Sequence, residues 1–189
     1  MVTTPRKKLD QYFTPQWLTN GMLETIESMG ITLKGNILEP CCGDWSIIKP
    51  LSDRLDRNEV DYHIMTNDID SSMTAQYHLD MRLEDSWDTI DQAFPIDWVI
   101  TNPPYKNAIE IIDFAESYPR QGLIALMRLS YVEPCGDRVD FLEEFPPTNM
   151  IVTPRVSFTG KGTDKVTTAW LIWDKSKDDR PIQVMRRPE

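Results

Sequence analysis

An apolar run closed by two consecutive prolines constrains this chain more than any other stretch: Asp97-Trp98-Val99-Ile100-Thr101-Asn102-Pro103-Pro104-Tyr105. Trp98 to Ile100 reads as a buried strand. Pro103 and Pro104 end it, because neither can donate to a sheet ladder and each fixes φ. An amide, Asn102, and an aromatic ring, Tyr105, are thereby held at the carboxyl end of a strand. In open α/β sheets that edge is where ligands bind.

The rest of the chain fits such a sheet. Asn36 to Glu39 reads as a strand, followed by a tight turn at Pro40-Cys41-Cys42-Gly43 and a helix in which Pro50 predicts a kink or restart near Leu51-Ser52-Asp53. Asp61 to Asp70 reads as a second strand ending in acids, and a third is expected to end at Asp80. The Asn102 strand comes fourth and Gly122 to Met127 fifth, ending at Arg128. An amphipathic helix is predicted over Lys106 to Tyr118, with Ile109, Ile112 and Ala115 on one face. Met150 to Val152 and Val166 to Trp173 are the last strands, joined through a basic loop, Arg155 to Lys165. These runs predict an α/β fold: a mostly parallel seven-stranded sheet with a closing antiparallel hairpin and helices on both faces. Ahead of the sheet, Thr14 reads as the N-cap and Pro15 as the first residue of a helix that Gly30 ends.

With 189 residues, one domain with a full core is expected over 1–189, with flexible ends at 1–10 and 176–189. No apolar run approaches a membrane span, and no apolar segment follows Arg6-Lys7-Lys8, so neither signal peptide nor membrane anchor is expected. Cys41, Cys42 and Cys135 show neither a disulfide framework nor a zinc-ligand spacing, so the expectation is a reducing cytoplasm and no metal. The net charge of −10 argues against a generic nucleic-acid binder, but it is unevenly spread. Residues 1–20 hold three basic and one acidic residue, residues 21–150 nine and twenty-four, and residues 151–189 eight and five. A nucleic-acid surface follows only if the two basic ends meet.

The chemistry suggested by Asn102-Pro103-Pro104-Tyr105 is specific. Asn102 offers a carbonyl acceptor and two N–H donors. Pro103 and Pro104 make the adjoining backbone rigid and rich in acceptors. Such a cradle holds both hydrogens of a planar amino group, drawing its nitrogen toward tetrahedral geometry and freeing the lone pair for attack. Tyr105 is placed to stack on the ring that bears the amino group. Asp68 lies 25 residues past Gly43 at the end of the second strand, a position that commonly takes ribose hydroxyls. Asp80 is read as a partner for an adenine amino group. Arg128 reads as an ion-pair partner, with a phosphate contact as the alternative.

The series Phe13-Thr14-Pro15, Glu39-Pro40-Cys41-Cys42-Gly43, Asn67-Asp68, Asp80 and Asn102-Pro103-Pro104-Tyr105 resembles the S-adenosylmethionine-dependent amino-methyltransferases. Within them it looks most like the adenine-N6 DNA methyltransferases, in the compact form of small enzymes of bacteria and their phages. The resemblance implies a Rossmann-like methyltransferase fold. It implies that Phe13, Thr14 and Pro15 line the methionine end of the cofactor, with Glu39, Pro40 and Gly43 beside its methionine and ribose portions. Asp68 would take the ribose hydroxyls, Asp80 the cofactor adenine, and Asn102 would adjoin both cofactor and target. Asn102, Pro103, Pro104 and Tyr105 are the implied catalytic set. Phe158 is implied as a second aromatic against the flipped base; the basic character of its loop, apart from the resemblance, makes Arg155, Lys161 and Lys165 candidate substrate contacts.

Two departures accompany the resemblance. Trp45 stands where the family's loop has glycine, so the loop is expected to differ there. No target-recognition domain is expected, since only about 20 residues separate Asp80 from Asn102. Sequence specificity must then come from short loops, be relaxed, or be supplied by a partner or a second copy. Release-factor glutamine methyltransferases share Asn-Pro-Pro-Tyr, so protein glutamine amides stay open as substrates, as does adenine in RNA. A non-catalytic binding protein, with Trp45 filling the cofactor pocket, is the remaining alternative.

Overall fold

Every residue of Trp98–Thr101 is buried, as a strand covered on both faces must be. In the computed structural model, which describes residues 13–136, 138–156 and 167–179, this strand sits inside the sheet. The strands are β1 (Gly35–Glu39), β2 (Tyr62–Thr66), β3 (Trp98–Thr101), β4 (Gly122–Arg128), β5 (Asn149–Val152) and β6 (Thr168–Asp174). The helices are α1 (Gln16–Ser28), α2 (Ile48–Arg57), α3 (Glu84–Ala93), α4 (Ala108–Ser117) and α5 (Arg138–Glu144). Sheet order is β2-β1-β3-β4-β6-β5. β1 pairs in parallel with β2 and β3, and β3 with β4; β6 runs antiparallel to both β4 and β5.

Alternation of apolar side chains through the sheet divides the core in two. On one face Leu18, Met22 and Ile26 of α1 and Leu51 and Leu55 of α2 pack over Ile37, Ile100, Ile124 and Trp170. On the other, Trp87 and Ile90 of α3 and Ile111 and Ile112 of α4 pack over Leu38, Val99, Leu123 and Leu171. Helices therefore lie on both faces, as expected. Among the described residues no helix is long and apolar enough to cross a membrane.

Three expectations are corrected. The described sheet has six strands, not seven: the segment ending at Asp80 is not a strand, and only an isolated bridge joins Asn67 to Tyr77. Past the backbone bonds of Thr66 and Asp68 to Gln76 and Tyr77, a side chain takes over from the ladder. Asn67 accepts from the Leu79 N–H at 2.8 Å and donates Nδ2 to the carbonyls of Leu79 at 3.1 Å and Pro40 at 2.9 Å. Pro50 neither kinks nor restarts a helix, because it is the third residue of α2, within the first turn, where its missing N–H has no intrahelical partner to lose. Thr14 does not cap α1, whose first turn has no side-chain cap; the helix starts after Pro15, and Thr14 is turned elsewhere.

The amino-terminal edge of the sheet is a structural joint. Gly35 holds φ +75°, and a Cβ there would stand 2.3 Å from Asp97 Oδ2. That oxygen accepts the Asn36 N–H at 2.8 Å, and Oδ1 pairs with Arg120 at 3.2 Å. Burial alone would lift the Asp97 carboxyl, but these donors hold it below the usual range.

Candidate active site at the carboxyl edge of the sheet

The residues singled out by sequence gather at the opposite edge, where β1, β2, β3 and β4 end. Glu39 closes β1, Asp68 follows β2, Asn102 follows β3, and Arg128 closes β4.

Glu39 is 1% exposed. Its Oε1 accepts the Cys41 N–H at 3.3 Å, while Oε2 has no hydrogen-bond partner among the described residues; nor does Thr101 Oγ1 on the neighbouring strand. Burial, aided by the charge of Asp68, pushes the Glu39 carboxyl up to about 8 against the easing effect of nearby Thr101 and the Cys41 N–H. A buried acid with an unfilled acceptor is costly unless a ligand completes it.

Asp68 is spent largely on the loop it faces. Oδ2 accepts the Gly43 N–H at 2.8 Å and Oδ1 the Asp70 N–H at 2.9 Å, so one carboxylate ties the β1–α2 turn to the end of β2. Gly43 holds φ +50°, and a Cβ there would press on the Phe13 ring at 3.1 Å. Trp45 stands two residues further on. It adopts φ +67°, a left-handed conformation that costs a residue with a Cβ about 1–2 kcal/mol. Its backbone N–H donates to Cys42 at 3.0 Å, and its indole Nε1 to the Thr74 carbonyl at 2.6 Å. The tryptophan thus takes a left-handed backbone conformation of the kind a glycine adopts freely, and the residue is 40% exposed. It lines, with Phe13, Thr14 and Lys49, a cavity of about 600 Å³ beside the amino end of α1.

Thr14 is buried, and its N–H donates to Ser46 Oγ at 3.2 Å. Its hydroxyl receives Asn102 Nδ2–H at 3.1 Å, across 88 residues of chain. That contact orients the amide: with Nδ2 directed at Thr14, Oδ1 takes the acceptor role an incoming amino group needs. Pro103 is buried beside it. Tyr105 opens a single 3-10 turn, Tyr105–Asn107, that leads into α4. Its ring is not presented to solvent: it is 8% exposed, and the Arg128 guanidinium lies over it, 4.7 Å from the centroid. The Tyr131 hydroxyl donates to the Tyr105 carbonyl. Arg128 therefore caps a ring instead of joining an ion pair with any described residue.

Asp80 lies in the loop before α3, next to Leu79, whose backbone groups bond Asn67 just past β2. Its carboxylate is bound by Arg82, with Nε donating at 2.8 Å, and that partner holds it below the usual carboxylate range. Arg155 is exposed at the end of the described segment after β5. Phe158, Lys161 and Lys165 lie outside the described residues. Sequence reading assigned no role to Ser46, Thr101 or Tyr131. Their only signal was position, one or a few residues past a strand end or in the first turn.

No family model and no curated protein matches the sequence. Solved structures do match in shape. A protein of Listeria monocytogenes assigned as a class I S-adenosylmethionine-dependent methyltransferase superposes with a TM-score of 0.61 at 14% identity, over 96% of this chain and 65% of that one. The methyltransferase subunit of a type I restriction-modification system from Streptococcus thermophilus gives 0.67 at 15% identity, over 89% of this chain and 46% of that one. The precorrin-6y C5,15-methyltransferase of Geobacter metallireducens gives 0.53 at 13% identity, over 90% and 93%. The fold is the Rossmann-like methyltransferase fold. This chain spans just under two thirds of the Listeria protein and under half of the Streptococcus subunit.

Proposed function

We propose that this chain transfers a methyl group from S-adenosylmethionine to the N6 amino group of adenine in DNA. The observation that carries the reading is the 3.1 Å hydrogen bond from Asn102 to Thr14, which joins the Asn-Pro-Pro-Tyr motif to the Phe13-Thr14-Pro15 segment packed on the Gly43 loop. The resemblance assigns those two segments to target and cofactor, and a transfer reaction requires them to meet.

The residues present fit the cofactor. S-adenosylmethionine carries an ammonium, a sulfonium and ribose hydroxyls. Glu39 offers a buried acid with an unfilled oxygen to the cationic end. Gly43 keeps the backbone bare where a Cβ would fill the space before Phe13. Lone pairs of Asp68 beyond its two backbone contacts suit the ribose. When bound, the cofactor supplies a methyl group on sulfonium, already a strong electrophile.

The chain's own part is positioning. Asn102 Oδ1 and the Pro103 carbonyl would accept the two hydrogens of the target amino group, and Tyr105 would stack on its ring. In-line alignment of this kind contributes on the order of 7–11 kcal/mol. Removing one such polar contact typically costs a factor of about 10²–10³ in turnover. Asn102→Ala is therefore expected to lower kcat at least about 100-fold while S-adenosylmethionine still binds by calorimetry.

The test offers radiolabelled S-adenosylmethionine with unmethylated DNA, RNA and cell-extract protein in separate reactions. Label recovered as N6-methyladenine in DNA, and lost with Asn102→Ala, supports the reading. Label only in RNA or only in a protein glutamine moves the assignment to that substrate. Binding without transfer to any of them points to a required partner, and no binding favours the non-catalytic alternative.

A further inference from the structure

The contact between Arg128 and Tyr105 joins the end of β4 to the 3-10 turn that leads into α4. Arg128 is the last residue of β4, half-buried, and its guanidinium lies 4.7 Å from the Tyr105 centroid. That distance is a stacking distance, and it leaves no room for a third plane between the two groups. Guanidinium is flat, permanently charged and weakly hydrated, so it covers an aromatic face much as a base does. The backbone at Tyr105 is anchored, since the Tyr131 hydroxyl donates to the Tyr105 carbonyl and Arg138 in turn lies over the Tyr131 ring at 5.8 Å. The cation over Tyr105 is the member of the pair with more freedom to turn away, since its guanidinium ends a side chain with three methylenes, whereas the backbone that carries the ring follows a rigid Pro-Pro segment.

We propose that Arg128 occupies, in the free protein, the place the target base takes during turnover, and that base entry transfers its guanidinium from the Tyr105 ring to a phosphate of the substrate strand. This rests on the adenine-in-DNA reading given above. No bond is made or broken in the exchange: one planar group replaces another on the ring, and the displaced cation gains an anionic, bidentate partner. The arrangement keeps the aromatic face covered until a base arrives and makes base capture and phosphate contact parts of one event. It also assigns a residue outside the Asn-Pro-Pro-Tyr motif to the binding of extrahelical nucleotides.

The two halves of the exchange predict opposite effects of one substitution. Arg128→Ala uncovers the ring and removes a phosphate contact. Measured by calorimetry on protein saturated with S-adenosylhomocysteine, adenosine, which has a base and no phosphate, should bind the variant about fivefold tighter than wild type. DNA should show a KM about tenfold higher, the loss falling on KM more than on kcat, and the dependence of log KM on log salt should shallow by about one. Arg128→Lys, which keeps the charge and loses the plane, should keep the salt slope. Affinity for S-adenosylmethionine and the melting temperature should match wild type in both variants. Unchanged KM and salt slope in Arg128→Ala would overturn the proposal. So would adenosine and DNA weakening together along with cofactor affinity and melting temperature, the pattern of a structural prop. A wild-type protein that labels RNA or protein and not DNA overturns the parent reading first, and is told apart because it needs no variant.

Discussion

Glu39 shows what a single residue can set. Its carboxyl is buried with one oxygen unfilled, and its pKa lies near 8 in the fold against an ordinary value of 4.5 in the unfolded chain. The folded state therefore holds a proton that the unfolded state releases, and stability falls as pH rises between those values. Below about 4.5 this loss is absent, and above about 8 it is complete. Urea unfolding of the cofactor-free protein from pH 5 to pH 8 should show a decline amounting to a few kcal/mol, on the order of one pKa unit per 1.4 kcal/mol. Glu39→Gln, a neutral group of the same shape, should flatten that part of the profile. A slope unchanged by the substitution would place the titrating group elsewhere. Trp45 makes a different point at the same scale: its Cβ does not bar the left-handed conformation, because the Thr74 and Cys42 hydrogen bonds offset the strain.

At the scale of elements, the segment between β2 and α3 is held by a few backbone bonds around Thr66, Asp68 and Tyr77 and, beyond them, by the side chain of Asn67. Asn67 makes three hydrogen bonds, to Pro40 and to both backbone groups of Leu79, with its amide fully buried. Asn67→Ala leaves those backbone groups unmatched, at about 1–3 kcal/mol for each buried group left unsatisfied. Hydrogen exchange should quicken over residues 77–81 while β3 and β4 stay protected. Equal loosening of the whole sheet would contradict this local role. The expected third strand was misread for the same reason. Tyr77 to Asp80 has the composition of a strand end, yet Asn67 supplies the bonds a strand would have made.

Across the whole molecule, the site is a seam between the starts of α1 and α2 and four strand ends. The cofactor reading makes S-adenosylmethionine a ligand of the folded state alone, so it should raise stability by about 2.7 kcal/mol at 100 times its Kd. For a chain of 189 residues that corresponds to a rise of about 5–10 °C in Tm. A thermal scan against cofactor concentration measures it, and a flat Tm up to millimolar ligand would count against the cofactor assignment. The same scan on Asn102→Ala should keep most of the rise.

The sequence by itself determined the α/β class, the mostly parallel sense of the strands, the antiparallel close and the strand-end place of Asn102 and Tyr105. Those features rest on local periods and on what proline and glycine permit, which neighbours in the chain suffice to decide. Tertiary structure alone decided that Thr14 meets Asn102, that Asp68 grips the Gly43 turn, that Asp80 turns to Arg82, and that Arg128 covers Tyr105. Three of these four contacts join residues 23 to 88 positions apart, and the fourth depends on a strand that does not form. A side chain's partner at such a separation is set by which strand ends the sheet brings together, and no local period carries that information.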